Sequence, residues 1–188
     1  MAAFDFDGAA RWARFDPGRT LTRRPDQELP FFPAVPTGGS ALLLDTCVYI
    51  DQLQGRAPEA LEQLIRARLV NHSIVTIQEM MHTVGVLDPT HPKTPVVISE
   101  IRKLIRTVPE HRIVAPDPDV LGKDALLAGI PCRLQGYAND RRQRALSDCA
   151  LLLHAQKLGL AVVTGNLGDF NYLLQMIPSG RVVFYRRT

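Results

Sequence analysis

Two spacings of apolar residues alternate along the chain from residue 41 to its end. Short apolar runs, typical of buried strands, are followed by longer segments in which apolar residues recur every three or four positions, as on one face of a helix. Since such an alternation requires crossover connections, we predict an α/β fold with a central parallel sheet and helices on both faces. The predicted strands are ALLLD (41–45), HSIVT (72–76), HRIVAPD (111–117), LAVVTGN (160–166) and RVVFY (181–185).

The predicted helices lie between these strands. Pro58 suits the first turn of one helix, Thr76 begins another, and Gly159 ends a third as a C-terminal glycine. Their sequences are PEALEQLIRARL (58–69), TIQEMMHTVGVL (76–87), PVVISEIRKLIRTV (95–108), DVLGKDALLAG (119–129), RQRALSDCALLLHAQKLG (142–159) and DFNYLLQMI (169–177).

Residues 1–40 show neither spacing and form a predicted N-terminal arm, separate from the body at 41–188. Repeated proline interrupts both helix and sheet, so we expect irregular structure. Phe31 and Phe32 should be buried, either because the arm wraps over the body or because it contacts another chain, such as a second copy or a protein partner. The prolines are Pro17, Pro25, Pro30, Pro33 and Pro36.

Composition narrows the class of protein only slightly. The net charge is +3, and the basic residues are almost all arginine, which favours an anionic partner such as nucleic acid or reflects only the base composition of the genome. The three cysteines, without a paired spacing, are typical of free thiols in the cytoplasm. No apolar run is long enough to span a bilayer, so we expect no membrane association.

Four acidic residues occupy related places in this pattern. Asp45 ends the first predicted strand, Glu79 lies in the predicted first turn after HSIVT, and Asp169 follows LAVVTGN. Asp148 lies inside a helix among apolar neighbours, which costs free energy unless the carboxylate is paired or binds a metal. Because ligands bind beyond the carboxyl ends of parallel strands, we expect the four acids to converge there.

Each acid also has an ordinary structural alternative. Asp45 and Asp169 are suited to cap, or to place charge at, the N-termini of their own helices. Residues 76–79 match a capping box, with threonine at the cap and glutamate three positions later. Asp148 lies one turn after Arg144, a spacing at which surface ion pairs form.

Carboxylates that gather without basic partners repel one another unless a cation enters. Oxygen-only ligands favour Mg²⁺ or Mn²⁺, which orient water and stabilise negative charge on a phosphodiester. The hydroxyls of Thr46 and Thr164 and the amide of Asn166 lie beside these acids in the sequence and are suited to orient them. The alternative is that all three are ordinary residues of turns at strand ends.

Three segments, LLLDTCVYI, TIQEMMHT and LSDCALLLHAQKLGLAVVTGNLGDF, together resemble the PIN domain family and, within it, the VapC-type ribonuclease toxins. The resemblance covers residues 41–188 and implies a PIN-like three-layer α/β/α sandwich with a central parallel sheet. The acidic positions of the family fall on Asp45, Glu79, Asp148 and Asp169, and its threonine or serine falls on Thr164.

This resemblance implies an activity, a cofactor and partners. The expected activity is endonucleolytic cleavage of RNA with Mg²⁺ or Mn²⁺ held by the four acids, as the toxin of a type II toxin–antitoxin pair. A VapB-type antitoxin and a homodimer are the expected partners. Arg141, Arg142 and Arg144, which run into the Asp148 helix, are the candidates to hold the RNA backbone, unless they form only a solvated helix face. Arg186 and Arg187 are interpreted as a solvated tail.

The chain departs from the family pattern in four ways. Asn166 stands where many relatives have an acid, Cys47 replaces a more frequent asparagine or serine, the segment between Glu79 and Asp148 is longer than a compact member needs, and the arm at 1–40 has no counterpart. The loss of an acid leaves open a non-catalytic PIN-fold module that binds RNA or protein. A phosphatase of the haloacid-dehalogenase type is disfavoured, because it needs a second aspartate where Cys47 stands. A dinucleotide site is disfavoured because no GxGxxG follows a strand.

Overall fold

A five-stranded parallel sheet forms the centre of the molecule. The strands are β1 (Leu42–Leu44), β2 (Val70–Ser73), β3 (Ile113–Val114), β4 (Ala161–Thr164) and β5 (Val182–Phe184). Their order is β3-β2-β1-β4-β5, and each neighbouring pair is parallel. This computed structural model describes residues 4–32 and 38–188, except for the side chains of residues 139 and 140, so Pro33 and Pro36 of the predicted arm lie outside the described residues.

Helices cover both faces of the sheet, as the sequence predicts. The helices are α1 (Phe6–Ala10), α2 (Thr46–Leu53), α3 (Glu59–Ala67), α4 (Ile74–Val86), α5 (Thr94–Thr107), α6 (Pro118–Gln135), α7 (Asn139–Leu158) and α8 (Leu167–Met176). Alternate strand residues face opposite layers: Leu43 packs with α6, α7 and α8, whereas Leu42 and Leu44 pack with α2, α3, α4 and α5. Within the described part of the chain, no helix is long and apolar enough to cross a membrane.

The strand order places a switch point between β1 and β4. From β1 the chain continues to β2 and β3 on one side, and β4 then pairs with the other side of β1. The connections that leave these two strands therefore run in opposite directions and leave a crevice beyond their carboxyl ends, where open α/β sheets bind ligands. Asp45 directly follows β1, and Asn166 follows β4 by one residue.

The predicted helices differ from the structure by a few residues at their ends, and helix α2 was not predicted. Two of the differences have a clear physical cause. Helix α4 begins at Ile74 rather than Thr76, because the Ser73 hydroxyl accepts a hydrogen bond from the Val75 amide and caps the helix. Helix α6 continues to Gln135, beyond the predicted end at residue 129, even though it contains Pro131. Pro131 is buried where α6 packs along α7, and that packing offsets the backbone hydrogen bond that proline lacks.

The described part of the N-terminal arm packs on the body of the same chain. The ring of Phe31 lies 5.8 Å from the ring of Phe184, and the Phe32 amide donates to the Phe184 carbonyl at 2.9 Å. Further along α8, the buried Asn171 accepts a hydrogen bond from the Arg24 amide and donates one to its carbonyl. The arm therefore wraps over the body of its own chain, and because Phe31 and Phe32 are only partly buried, their contact with another chain stays a prediction.

Candidate metal centre

Asp45 stands at the N-cap position of α2, yet its carboxylate makes no capping hydrogen bond. Instead it accepts hydrogen bonds from the Thr164 hydroxyl at 2.5 Å and the Cys47 thiol at 3.1 Å. The side chain is only 5% exposed, and burial raises its pKa although these hydrogen bonds act in the opposite direction. The carboxylate thus faces the loop after β4 rather than serving as the helix cap.

Asn166 joins two more of the predicted acids. It caps α8 by accepting a hydrogen bond from the Asp169 amide at 3.2 Å. Its side-chain nitrogen donates to Asp148 Oδ2 at 3.0 Å and to Asp169 Oδ2 at 3.1 Å, while its backbone amide donates to the Thr164 hydroxyl at 2.9 Å. One asparagine therefore holds carboxylates from α7 and α8 side by side.

Asp148 lies among the negative charges of the other three acids. Its side chain is buried, and burial together with the negative charges of Asp45, Asp169 and Glu79 raises its pKa well above the usual range. The charge of Arg144 acts in the opposite direction, but none of the ion pairs among the described residues joins Arg144 to Asp148. The predicted surface pair is therefore absent, and Asp148 carries an unpaired charge when ionised.

Glu79 reaches the same region from α4. Because the helix begins at Ile74, Glu79 lies beyond the first turn, and the predicted capping box does not form. The Thr76 hydroxyl donates instead to the carbonyl of Leu44 at 3.2 Å. The Glu79 carboxylate accepts a hydrogen bond from the Thr46 hydroxyl, and burial, with a smaller effect of the Asp45 charge, raises its pKa.

Tyr137 contacts the site although nothing in its sequence context indicates this. It lies between α6 and α7, is buried, and donates its hydroxyl proton to Asp169 Oδ1 at 2.7 Å. Burial, followed by the hydrogen bond to the Asp169 carboxylate, raises the pKa of the phenol. Only the packing of α6 against α7 and α8 brings this tyrosine to the acid, so no local motif could have revealed it.

The predicted RNA-contacting arginines lie in the first turns of α7 and are exposed. The guanidinium of Arg141 lies 5.4 Å from the centre of the Tyr137 ring, and Arg142 Nε donates to the Tyr137 carbonyl at 3.3 Å. The positive charge of Arg144 lowers the pKa values of Asp148 and Glu79. Arg141 and Arg142 thus contact the tyrosine that binds Asp169, Arg144 acts on two of the acids through its charge, and contact of all three with RNA stays a prediction.

The ligand atoms of the four acids are of the type that a hard divalent cation prefers. The four acids supply oxygen ligands, and in the described part of the chain no ion pair neutralises any of them. No three acidic, histidine or cysteine side chains of the described residues form a set that could hold a metal as they stand. Mg²⁺ commonly binds only one or two protein carboxylates and fills its remaining coordination positions with water or phosphate. A Mg²⁺ site therefore does not require three protein carboxylates.

Solved structures share this fold. FitAcB from Neisseria gonorrhoeae is 20% identical, with 77% of this chain and 96% of that chain covered at a TM-score of 0.52. VapBC2 from Rickettsia felis, bound to a promoter DNA fragment, is 17% identical (77% and 98% covered, TM-score 0.50). VapBC-5 from Mycobacterium tuberculosis, of a family of toxin–antitoxin systems, is 19% identical (78% and 100% covered, TM-score 0.50). Neither a protein-family model nor a curated protein matches the chain.

The similarity to these structures is one of fold, because the identities are low. It agrees with the predicted PIN-like α/β sandwich, which is confirmed by the five-stranded parallel sheet and its two helical layers. About a quarter of this chain has no counterpart in the aligned structures, although each of those is covered almost completely.

Proposed function

We propose that this chain, which has the PIN-like fold, is a divalent-metal-dependent endoribonuclease of the VapC type. The observation that carries the proposal is the buried Asp148 carboxylate, which shares Asn166 with Asp169 and feels the charges of Asp45 and Glu79 without a basic partner. Such an arrangement stores electrostatic repulsion, which a doubly charged ion relieves. A fold that only needed stability would gain from neutral residues at these positions.

We assign three roles in phosphodiester hydrolysis to the residues of this site. Asp45, Glu79, Asp148 and Asp169 would hold Mg²⁺ or Mn²⁺, one or two of them directly and the others through bound water, and the ion would supply an activated water and stabilise the charge that develops on phosphate. The remaining side chains orient the acids or bind the RNA backbone. Thr46, Thr164 and Asn166 orient the carboxylates through the hydrogen bonds described above, and Arg141, Arg142 and Arg144 hold the RNA backbone.

The partners follow from the same proposal. Two of the similar structures are named VapBC2 and VapBC-5, and the second is described as a member of the VapBC family of toxin–antitoxin systems. We extend this to an antitoxin of VapB type that blocks the site, a homodimer of this chain, and action in the cytoplasm, where the three free cysteines stay reduced. Expression of this chain should arrest growth, and co-expression of the product of a small adjacent gene should relieve the arrest.

A cleavage assay on structured RNA tests the activity. We expect cleavage with Mg²⁺ or Mn²⁺, none with excess chelator, and at least a hundredfold loss of rate in Asp148→Asn and Glu79→Gln, because charge stabilisation at phosphorus depends on the metal. Glu62→Gln is the matched control, since Glu62 forms an exposed pair with Arg66 on α3. Cleavage that survives both site substitutions at the wild-type rate would exclude the assigned roles.

A non-catalytic PIN-fold module is the second candidate. It is favoured by the Asn166 amide, which donates to both Asp148 and Asp169 and stands where many relatives have an acid. In this case RNA or protein would bind at the surface around Asp148 and Asp169, and no hydrolysis would follow. Titration with Mn²⁺ separates the two candidates, because a nuclease should bind the ion at sub-millimolar concentration and a binding module should not.

A further inference from the structure

A buried hydrogen-bond cluster lies next to the acids and involves none of them. Asp51, in α2, is 0% exposed and accepts hydrogen bonds from Arg56 at 2.8 Å, Arg187 at 2.8 Å and the Tyr185 hydroxyl at 2.6 Å. Arg187 is therefore held by a buried carboxylate, so residues 186 and 187 are exposed to solvent, as predicted, but do not form a free tail. Arg186 is held as well, in an ion pair with Asp26.

Tyr185 connects this cluster to the loop after β4. Its amide donates to the Thr164 carbonyl at 3.2 Å, and its phenol packs against Gly165. A Cβ atom at Gly165 would lie 3.1 Å from Tyr185 Cζ and 3.2 Å from its hydroxyl oxygen, which is closer than nearly all Cβ contacts. The ring is 1% exposed and its hydroxyl is bound to Asp51, so it forms a fixed support for this loop.

Cys47 occupies the space between Tyr185 and Asp45. Its sulfur accepts a hydrogen bond from the Gly165 amide at 3.2 Å and donates its proton to Asp45 Oδ2 at 3.1 Å. The Tyr185 hydroxyl lies 3.7 Å from the same sulfur. Because the single phenolic proton goes to the Asp51 carboxylate at 2.6 Å, the contact between oxygen and sulfur acts mainly through packing.

We infer that Tyr185, Asp51 and Cys47 are positioning residues, which fix the Asp45 carboxylate and the Gly165 loop in the orientation that binds a divalent cation. The inference rests on the proposed metal-dependent function. Asp45 follows β1, whereas the loop that carries Asn166 follows β4. Cys47 contacts both Asp45 and this loop. Tyr185 packs against Cys47 and Gly165 and so keeps them together. The hydrogen-bonded neighbours of metal ligands commonly control affinity through their orientation in this way.

Isothermal titration of the full-length protein with Mn²⁺ alone tests the inference without any cleavage assay. We expect binding about tenfold weaker in Cys47→Ala, which removes the contact with Asp45, and about threefold weaker in Tyr185→Phe, which frees the ring from Asp51. Cys47→Ser restores a donor of similar size and should bind within about twofold of the wild type. Arg186→Gln is the matched control, because it loosens the same C-terminal segment without touching the Asp51 cluster.

The outcomes separate this inference from the proposed function. If the wild type binds no Mn²⁺, the metal-dependent function fails. If the wild type binds and both Cys47→Ala and Tyr185→Phe bind equally well, the positioning role is overturned and the nuclease proposal stands. Equal weakening in Cys47→Ala, Cys47→Ser and Arg186→Gln would also overturn it, since the loss would then follow general loosening. Thermal unfolding followed by circular dichroism shows whether each variant is folded during the titration.

Discussion

Asp51 and Asp148 are both buried aspartates beside the same strand ends, but their surroundings differ in charge. Burial by itself would raise the pKa of Asp51, yet the hydrogen bonds from Tyr185 and Arg187, with the positive charge of Arg187, lower it. For Asp148, burial and three neighbouring carboxylates all act to raise the pKa. The first carboxylate has the partners that a buried charge needs, and the second lacks them.

The difference separates an acid that holds other residues in place from an acid that can bind an ion. A carboxylate with two arginines and a tyrosine stabilises the fold and has no need of an ion, so Asp51 is a poor ligand despite its complete burial. A carboxylate held among other carboxylates destabilises the fold until a cation binds. Burial alone therefore does not identify a metal-binding acid. The sign of the charges around a buried acid is the better indicator, and substitution of single residues tests it.

The largest effect on stability is expected from Asp51→Asn. The amide accepts at one oxygen only and turns N–H groups toward donors, so part of the contacts to Arg56, Arg187 and Tyr185 is lost. Hydrogen bonds to charged groups are worth roughly 1.5–3 kcal/mol each, and both arginines are half-exposed, so we expect a loss of about 3 kcal/mol. Urea unfolding measures it; an unchanged midpoint would mean that the cluster does not stabilise the fold.

A smaller effect of opposite sign is expected from Asp148→Asn. The substitution removes one charge from the acid cluster, and its amide oxygen can still accept the hydrogen bond from Asn166. Because the substitution removes repulsion within the acid cluster, we expect a stabilisation of about 1–2 kcal/mol, together with loss of Mn²⁺ binding. The same unfolding experiment, run without metal, checks the sign. Destabilisation would show that Asp148 is compensated after all.

The sequence predicts the acid cluster that contains Asp148, but it does not predict the hydrogen-bond partners of Asp51. The strands, the helices and the places of Asp45, Asp148 and Asp169 follow from apolar spacing and from the rule that acids after parallel strands converge. The start of α4 was misplaced because Ser73, read as part of a strand, caps the helix. A hydroxyl that ends a strand and caps the next helix satisfies both patterns, and only the backbone geometry decides between them.

The clusters around Asp51 and Tyr137 had no sequence signal for a different reason. Asp51 and Tyr185 are 134 positions apart, and Tyr137 and Asp169 are 32 apart. Such contacts depend on which helices pack together and on small choices of side-chain rotamer, neither of which has a period along the chain. Arg187, near the end of the chain, therefore looks like a solvated tail until the fold places Asp51 beside it.

The pH dependence of stability should show the same contrast, with a moderate effect. A raised folded-state pKa means that Asp148 favours folding while protonated and that this advantage is lost as pH rises through the folded pKa. Asp51, with a lowered pKa, contributes above its unfolded pKa and loses that contribution as pH falls. As pH rises above the ordinary range of carboxylates, the contribution of Asp148 to the stability of the metal-free protein should therefore fall.

A second buried acid must be removed for this measurement. Burial raises the pKa of Asp124, in α6, to about 7, so its own titration near neutral pH would add to the measured slope. The comparison is made in an Asp124→Asn background, with and without Asp148→Asn, by thermal unfolding at several pH values. The slope should be smaller in the double variant; equal slopes would show that the acid cluster takes up no protons in this range. Mn²⁺ should also stabilise the protein more at pH 8 than at pH 5, because protons compete with the ion.

The smallest effect is expected from Arg144→Gln, which removes a positive charge that opposes the raised pKa values of Asp148 and Glu79. Arg144 is exposed and makes no ion pair with Asp148 or Glu79 among the described residues, so its removal should hardly change the unfolding midpoint. Its proposed contact with the RNA backbone is tested by binding at several salt concentrations. We expect severalfold weaker binding and a salt slope reduced by about one. Arg66→Gln, on exposed α3, is the control, and equal behaviour of the two variants would place Arg144 on a solvated face and leave the acids to act on RNA without it.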